Sequence, residues 1–416
     1  MPHRSGPPES SRLPFFYGWV IVAAGIVITC IGFGTALSLG VFLQPMSVAT
    51  GWSRAGISAA AMIDFLAMGF ASLFWGALSD RIGTRLVVIS GGILLGLGLI
   101  AASQAATLEQ FLMAFAVVGV AAGSFYAPLT ATTTRWFTTH RSLAVALVSA
   151  GIGLGSTAIA PLASWLITAY DWRTALALLG VLAWFLIVGA GLLVRRPPPS
   201  AAGTAASRGD GEREFTVAGA LRTPQFAAIA FTHFACCVAH SGPIFHMVTD
   251  AIDCGVAPMA AATVLGVAGL SSVGGRVLCG LLADRFGARE TLIAGLAVQA
   301  AAISLYLFVR DLTTFYALGA LFGLAYGGIM PLYATLVREY FGARIMGTVF
   351  GAVAMLSTLG MAVGPWTGGW IYDNLGGYFW LYIASTAIGL GALAIAATFR
   401  PPERSAPLRA GLAPGN

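Results

Sequence analysis

Apolar runs of about twenty residues follow one another from Tyr17 to Phe399, broken by short polar or glycine- and proline-marked segments. At a rise of ~1.5 Å per residue, such a run spans the ~30 Å hydrocarbon layer as a helix. Twelve are counted, near 16–43, 54–76, 86–105, 109–134, 142–168, 174–194, 225–249, 259–281, 290–309, 314–337, 345–370 and 378–399. Three stretches lack the pattern: 1–14, 195–223 and 401–416, all polar and rich in proline, serine or glycine. The pattern predicts an all-α membrane protein with 12 transmembrane helices and two polar tails. Residues 195–223 read as a flexible linker, with 215–221 as a short surface helix.

Composition agrees: 58% of the chain is hydrophobic and 9% charged, against about 25% charged in soluble domains. The formal charge of +6 comes with no lysine at all. If the N-terminus is cytoplasmic, Arg54, Arg173 and Arg310 fall outside, Arg276 falls within the membrane, and the other eighteen arginines fall inside. That distribution is the positive-inside rule, so both termini are expected in the cytoplasm and the charge implies no nucleic acid. The expected location is a bacterial inner (plasma) membrane. The first fourteen residues read as a cytoplasmic tail and not as a cleavable signal, because the apolar run after them is too long. Cys30, Cys236, Cys237, Cys254 and Cys279 lack metal-ligand spacing and read as packing residues.

The chain also repeats itself at an offset of 203–204 residues. Residues 76–85 read GALSDRIGTR and 280–289 read GLLADRFGAR; Pro128 and Arg135 recur as Pro331 and Arg338, and Pro161 recurs as Pro365. Two parallel six-helix bundles follow, 15–194 and 224–400.

This doubled G-x-L-x-D-R-x-G-x-R loop resembles the signature of the major facilitator superfamily, which implies the major facilitator fold of two pseudo-symmetric six-helix bundles. The resemblance gives Gly76, Asp80, Arg81, Arg85, Gly280, Asp284, Arg285 and Arg289 the role of a conformational latch. The glycines would permit close helix contact and the aspartates would face a helix N-terminus across the half-to-half contact. Tyr17, Gly18 and Trp19, then Arg135, Trp136 and Phe137 leading into RSLAVALVSAGIGLG at 141–155, and LRTPQF at 221–226 are similar to the monocarboxylate transporter and oxalate:formate antiporter group within that superfamily.

The chemistry centres on Arg276, the only charge in the run 261–283. A guanidinium stays protonated, and it costs several kcal/mol in hydrocarbon unless it faces a partner or a watery cavity. In the resembling group an arginine at this place binds the substrate carboxylate. The alternative is an internal ion pair with Asp64. Oxalate-type members carry a second cation where Val353 stands here, so one carboxylate is expected to be neutralised and a monoanion favoured. Vertebrate-type members place an acid one turn before the arginine and a lysine late in helix 1, where this chain has Ser272 and approximately Leu39.

Asp64, alone in the second helix, and His240 are the proton-coupling candidates, because a buried carboxyl or an imidazole can carry a proton near neutral pH. Capping by neighbouring hydroxyls is the structural alternative for Asp64. His233 and His240 share a face; His246 follows Gly242 and Pro243, a predicted break of the seventh helix, and is a substrate-binding candidate. Tyr126, which the resemblance aligns with a substrate-lining tyrosine, and Tyr326, with Met330 and Tyr333 on its face, are candidate walls. Gly151, Gly155 and Pro161, with Gly360, Gly364 and Pro365, read as close-packed, bendable segments.

No lysine exists to complete an ATP-binding loop, which excludes primary active transport by this chain. Neither a metal nor a nucleophile constellation is present, so no enzyme and no cofactor are expected. The expected function is secondary transport of small monocarboxylates by alternating access, as a monomer, coupled to protons or to anion exchange. Drug efflux and a non-translocating carboxylate sensor are the competing readings.

Overall fold

The computed structural model describes residues 16–137, 141–196, 216–342 and 345–400, without the side chains of Asp80, Arg141, Ser142, Met346 and Gly347. The expected tails 1–14 and 401–416, and 197–215 of the expected linker, lie outside the described residues. Among those described, twelve helices are long and apolar enough to cross a membrane. They are α1 (Gly18–Thr50, interrupted at Ser38), α2 (Arg54–Ile82), α3 (Thr84–Ser103), α4 (Leu108–Trp136), α5 (Arg141–Ala169), α6 (Trp172–Leu193), α7 (Pro224–Asp253), α8 (Pro258–Phe286), α9 (Ala288–Phe308), α10 (Leu312–Phe341), α11 (Met346–Leu375) and α12 (Phe379–Ala397). A short helix, Val217–Leu221, precedes α7, within the expected 215–221.

Local chemistry sets the helix starts. Ser53, Thr107, Asp171, Thr223 and Asp311 each accept a first-turn N–H with the side chain, and Thr107 forms a reciprocal capping box with Gln110. The two signature loops turn on glycines of nearly the same left-handed geometry, Gly83 (φ 94°, ψ 148°) and Gly287 (φ 97°, ψ 149°), a φ that side-chain-bearing residues rarely adopt.

Packing repeats as the sequence does. In the first half α1 lies on α5, α2 on α4, and α3 on α4 and α6; in the second, α7 lies on α11, α8 on α10, and α9 on α10 and α12. The halves meet along α2–α11 and α5–α8, a pair related by the same pseudo-symmetry. Small residues bring α5 against α1: a Cβ on Gly155 would lie 2.9 Å from the Gly34 Cα. They also bring α11 against α7, where a Cβ on Gly360 would meet Cys237. Pro243 does not break α7, which runs as one helix from Pro224 to Asp253. Packing against α11 and α12 holds the segment helical although the proline supplies no N–H.

One end of the molecule carries the arginine-rich turns (Arg81, Arg85, Arg135, Arg195, Arg285, Arg289); the other is here called the far end. A single apolar core joins the halves toward the far end, with Leu39, Val41 and Phe42 of α1 in one cluster with Phe245 and Val248 of α7. A second cluster, with Leu292, Leu336 and Val353, stays within the second half. At the arginine-rich end the halves are apart: a Cβ on Gly76 or Gly280 would meet nothing within 4 Å, and Asp284 is exposed. The close contact expected of these glycines is absent from this conformation, and the Asp80 side chain lies outside the described residues. Among the described residues, the molecule is closed at the far end and open at the arginine-rich one.

Candidate functional site

The crossing of α8 and α10 is nearly backbone on backbone. A Cβ on Gly323 would strike the Ala268 backbone, one on Gly327 the Ser272 backbone, and one on Gly275 the Leu324 carbonyl. Side chains that would separate the helices are missing there, so Arg276 of α8 and Tyr326 of α10 are held side by side. Arg276 stands ten residues before Phe286, about 15 Å from that helix end.

Its Nε and Nη1 are covered by protein and have no hydrogen-bond partner. The groups acting electrostatically on the guanidinium are the phenols of Tyr326 and, across the interface from α4, Tyr126; no carboxylate is among them. Ser272 lies beside the Tyr326 hydroxyl, and the His240 ring stacks on the Tyr326 ring at 5.4 Å. His240 Nδ1 donates to the Cys236 carbonyl at 2.8 Å, which leaves Nε2 as the other functional nitrogen. Phe33 of α1 meets the edge of Tyr126 at 6.4 Å. Arg276, Tyr126, Tyr326, Ser272 and His240 thus form one neighbourhood between the halves: a cation with free donors, two phenols and an imidazole. Open guanidinium donors beside phenols are groups that can hydrogen-bond a small anion.

Other residues singled out from the sequence stand elsewhere. Asp64 is buried with Oδ1 unpaired, its backbone pressed against Gly119 of α4, and it makes no ion pair with Arg276. No hydroxyl caps that oxygen. Met330 is half-buried against the second half's core, and Tyr333 stacks on His233 at 3.9 Å inside that half.

His246 belongs to a different network, at the far-end closure. Its Nε2 donates to the Pro365 carbonyl (2.8 Å), so Nδ1 accepts from the Tyr378 hydroxyl (3.2 Å). Tyr378 in turn accepts from Arg54 Nη1 (2.9 Å), and the Arg54 guanidinium forks onto Asp253 at 2.7 and 2.9 Å while lying over the Tyr372 ring. Asp373 of α11 accepts the Arg54 and Ala55 amides, 3.1 and 2.7 Å, and so caps a helix of the opposite half. Sequence reading missed this gate. The sequence counts Arg54 only among three arginines outside the membrane, and the usable signal was three charges (Arg54, Asp253, Asp373) at the same-side ends of α2, α7 and α11.

The sequence model of the Major Facilitator Superfamily matches residues 24–285 and 241–415. Monocarboxylate transporter 13 of Rattus norvegicus is 30% identical over 96% of this chain and 91% of its own length. Monocarboxylate transporter 11 of Homo sapiens is 29% identical over 93% of this chain and 83% of its own. The uncharacterized MFS-type transporter YhjX of Escherichia coli (strain K12) is 25% identical over 79% and 82%. Among solved structures, a mutant of the nucleoside transporter NupG superposes with a TM-score of 0.73 at 13% identity, covering 92% of this chain and all of that one. A bacterial homologue of the lysosomal transporter Spinster, inward-facing and occupied, gives 0.71 at 16% identity over 92% and 96%. At these identities the structures speak for the fold alone.

Proposed function

The chain belongs to the major facilitator superfamily, and on that premise we propose that it carries small monocarboxylates across the membrane, with Arg276 binding the carboxylate. The observation that carries this reading is the pair of covered, unpartnered guanidinium nitrogens flanked by Tyr126 and Tyr326. A carboxylate supplies what those donors lack: two oxygens in one plane, matched to the guanidinium fork and strengthened by the low dielectric. The likeness to relatives named monocarboxylate transporters supports the same substrate class. Val353, buried among apolar neighbours, provides no second cation, which favours a monoanion over oxalate.

The arginine-rich end is taken as cytoplasmic by the positive-inside rule, so the described conformation faces inward. In the transport cycle the site loads or empties there, the far-end gate opens, and the halves rock about α2–α11 and α5–α8. Arg276 paired with a carboxylate is neutral and crosses the closed state more easily than Arg276 alone, which ties reorientation to loading. His240, stacked against Tyr326, is one coupling candidate because an imidazole can exchange a proton with the bound anion; Asp64 stands apart and is the second.

Uptake of labelled lactate, pyruvate, formate, oxalate and a branched 2-oxoacid into proteoliposomes tests this, with and without a pH gradient. Monocarboxylates are expected to accumulate and oxalate to lag behind them. Oxalate outcompeting every monoanion would overturn the single-cation argument, and binding without counterflow would make the protein a sensor.

A further inference from the structure

A cavity of about 660 Å³ opens on the arginine-rich face of the first half, at the signature loop and away from Arg276. It is lined by the turn from α2 into α3, with Gly83, Thr84 and Arg85, by Thr132 of α4, and by Arg196 just beyond α6. We propose that this cavity binds a phosphate-class anion, the headgroup of an anionic phospholipid or a soluble phosphate.

Among the described residues, the positive groups of this turn face no carboxylate. The N-terminus of α3 is the positive end of a helix, yet its first turn holds no acidic residue and Gly83 gives it no side-chain cap. Cations gather there instead. Arg85 lies in the first turn, and the Arg196 guanidinium comes within 2.9 Å of where a Cβ on Gly83 would sit. Among the described residues no carboxylate pairs with either. Uncapped amides, guanidinium forks and the one hydroxyl proton that the Thr84–Thr132 bond (2.7 Å) leaves over line the cavity as donors, which suits the oxygens of a tetrahedral phosphate.

The internal repeat supplies the control. The equivalent turn in the second half has the same backbone at Gly287, but its first turn carries Glu290. That carboxylate folds back over Gly287, 2.7 Å from a Cβ position there, and accepts from Arg289 at 3.2 Å. Arg289 is further held by the Ala397 carbonyl at 2.7 Å. The second copy therefore contains its own anion. At the repeat offset of 204 residues the first half has Leu86, 54% exposed, so this position supplies the turn with no carboxylate. An exposed leucine beside the cations also gives the cavity an apolar flank, as a headgroup with its acyl chains would meet.

Native mass spectrometry of the full-length protein with phosphatidylglycerol or phosphatidylcholine, repeated with inorganic phosphate as competitor, tests the site. Phosphatidylglycerol is expected to be retained over phosphatidylcholine. Arg85→Gln with Arg196→Gln should weaken it roughly tenfold to thirtyfold. Leu86→Glu, which installs the carboxylate of the second half, should weaken it similarly. Glu290→Leu is the reciprocal variant, should Leu86→Glu fold poorly, and is expected to gain a second bound anion. Retention that phosphate does not disturb assigns the site to the headgroup; displacement by phosphate alone, lost in the arginine variants, assigns it to a soluble phosphate. Equal retention of both anions by the wild type and every variant would overturn the proposal.

Discussion

Arg276 stays charged between two helical bundles with Nε and Nη1 enclosed and unpaired. Removing a charge that pairs with a buried partner costs ~2–5 kcal/mol, so Arg276→Gln is expected to lower uptake efficiency about thirtyfold or more. Arg276→Lys should fall between, because an ammonium keeps the charge and loses the fork. Uptake by Arg276→Gln at wild-type affinity would end the carboxylate-site reading. Tyr126→Phe deletes one hydroxyl and is expected to raise KM roughly fivefold, the scale of a single hydrogen bond, with expression unchanged. Arg276 was legible in the sequence because a lone charge in an apolar run has a physical cost that demands a reason. Arg54 was not, because a charge at a helix end looks the same whether it anchors the helix or locks a gate. The partner of His246 was equally hidden: Pro365 and Tyr378 are more than a hundred residues away.

At the scale of single helices, the α8–α10 crossing governs the site. Gly327→Val would force a branched side chain into the Ser272 backbone and move Tyr326 away from Arg276. Overpacking costs ~1–3 kcal/mol, and the expected result is a lower thermal midpoint together with loss of substrate-induced stabilisation. A variant that keeps full substrate stabilisation would show that this crossing does not set the site. The start of α6 offers a separate test. The Thr174 amide donates to Asp171 at 2.8 Å and, with the Thr174 hydroxyl, holds that carboxyl below the usual aspartate range. The capping contribution is therefore fully present above the unfolded value of about 4 and disappears as pH falls through the lower folded one. Asp171→Ala should lower the midpoint at neutral pH, by an amount corresponding to ~1 kcal/mol or less, and the gap to wild type should close in acid. A gap independent of pH would assign the loss to something other than the cap. Hydrophobic run length placed all twelve helices, yet proline chemistry alone misjudged α7, because the stability of that segment comes from its neighbours.

For the whole molecule, the far-end network is the contact expected to hold that face closed. Arg54 joins α2 to Asp253 of α7, to Asp373 of α11 through its own amide, and to Tyr378, so one residue of the first half touches three places in the second. Arg54→Gln leaves Asp253 without its cation and removes the stacking on Tyr372. Breaking such a pair is expected to shift the population roughly tenfold or more toward the outward-open state. Spin labels at Tyr170→Cys and Asn374→Cys, on exposed positions of the two halves at that end, would read this as a longer distance population. An unchanged distance distribution would remove Arg54 from the gate. In this same state the signature glycines Gly76 and Gly280 have open space beside them.

The sequence by itself determined the number of helices, their doubling into two parallel halves, and the one intramembrane cation. Those follow from run length, from repeated residues, and from the cost of charge in hydrocarbon, all of which are local or countable along the chain. Only the tertiary structure decided which side chains meet: that Tyr126, Tyr326 and His240 gather around Arg276, that His246 and Arg54 close the far end, and that Asp64 has no part in either contact. Such pairings bring together residues from different helices, far apart in the chain, whose rotation and crossing are set by small-residue contacts between backbones. A hydropathy pattern records which helices exist and carries almost nothing about how each one is turned toward its neighbours.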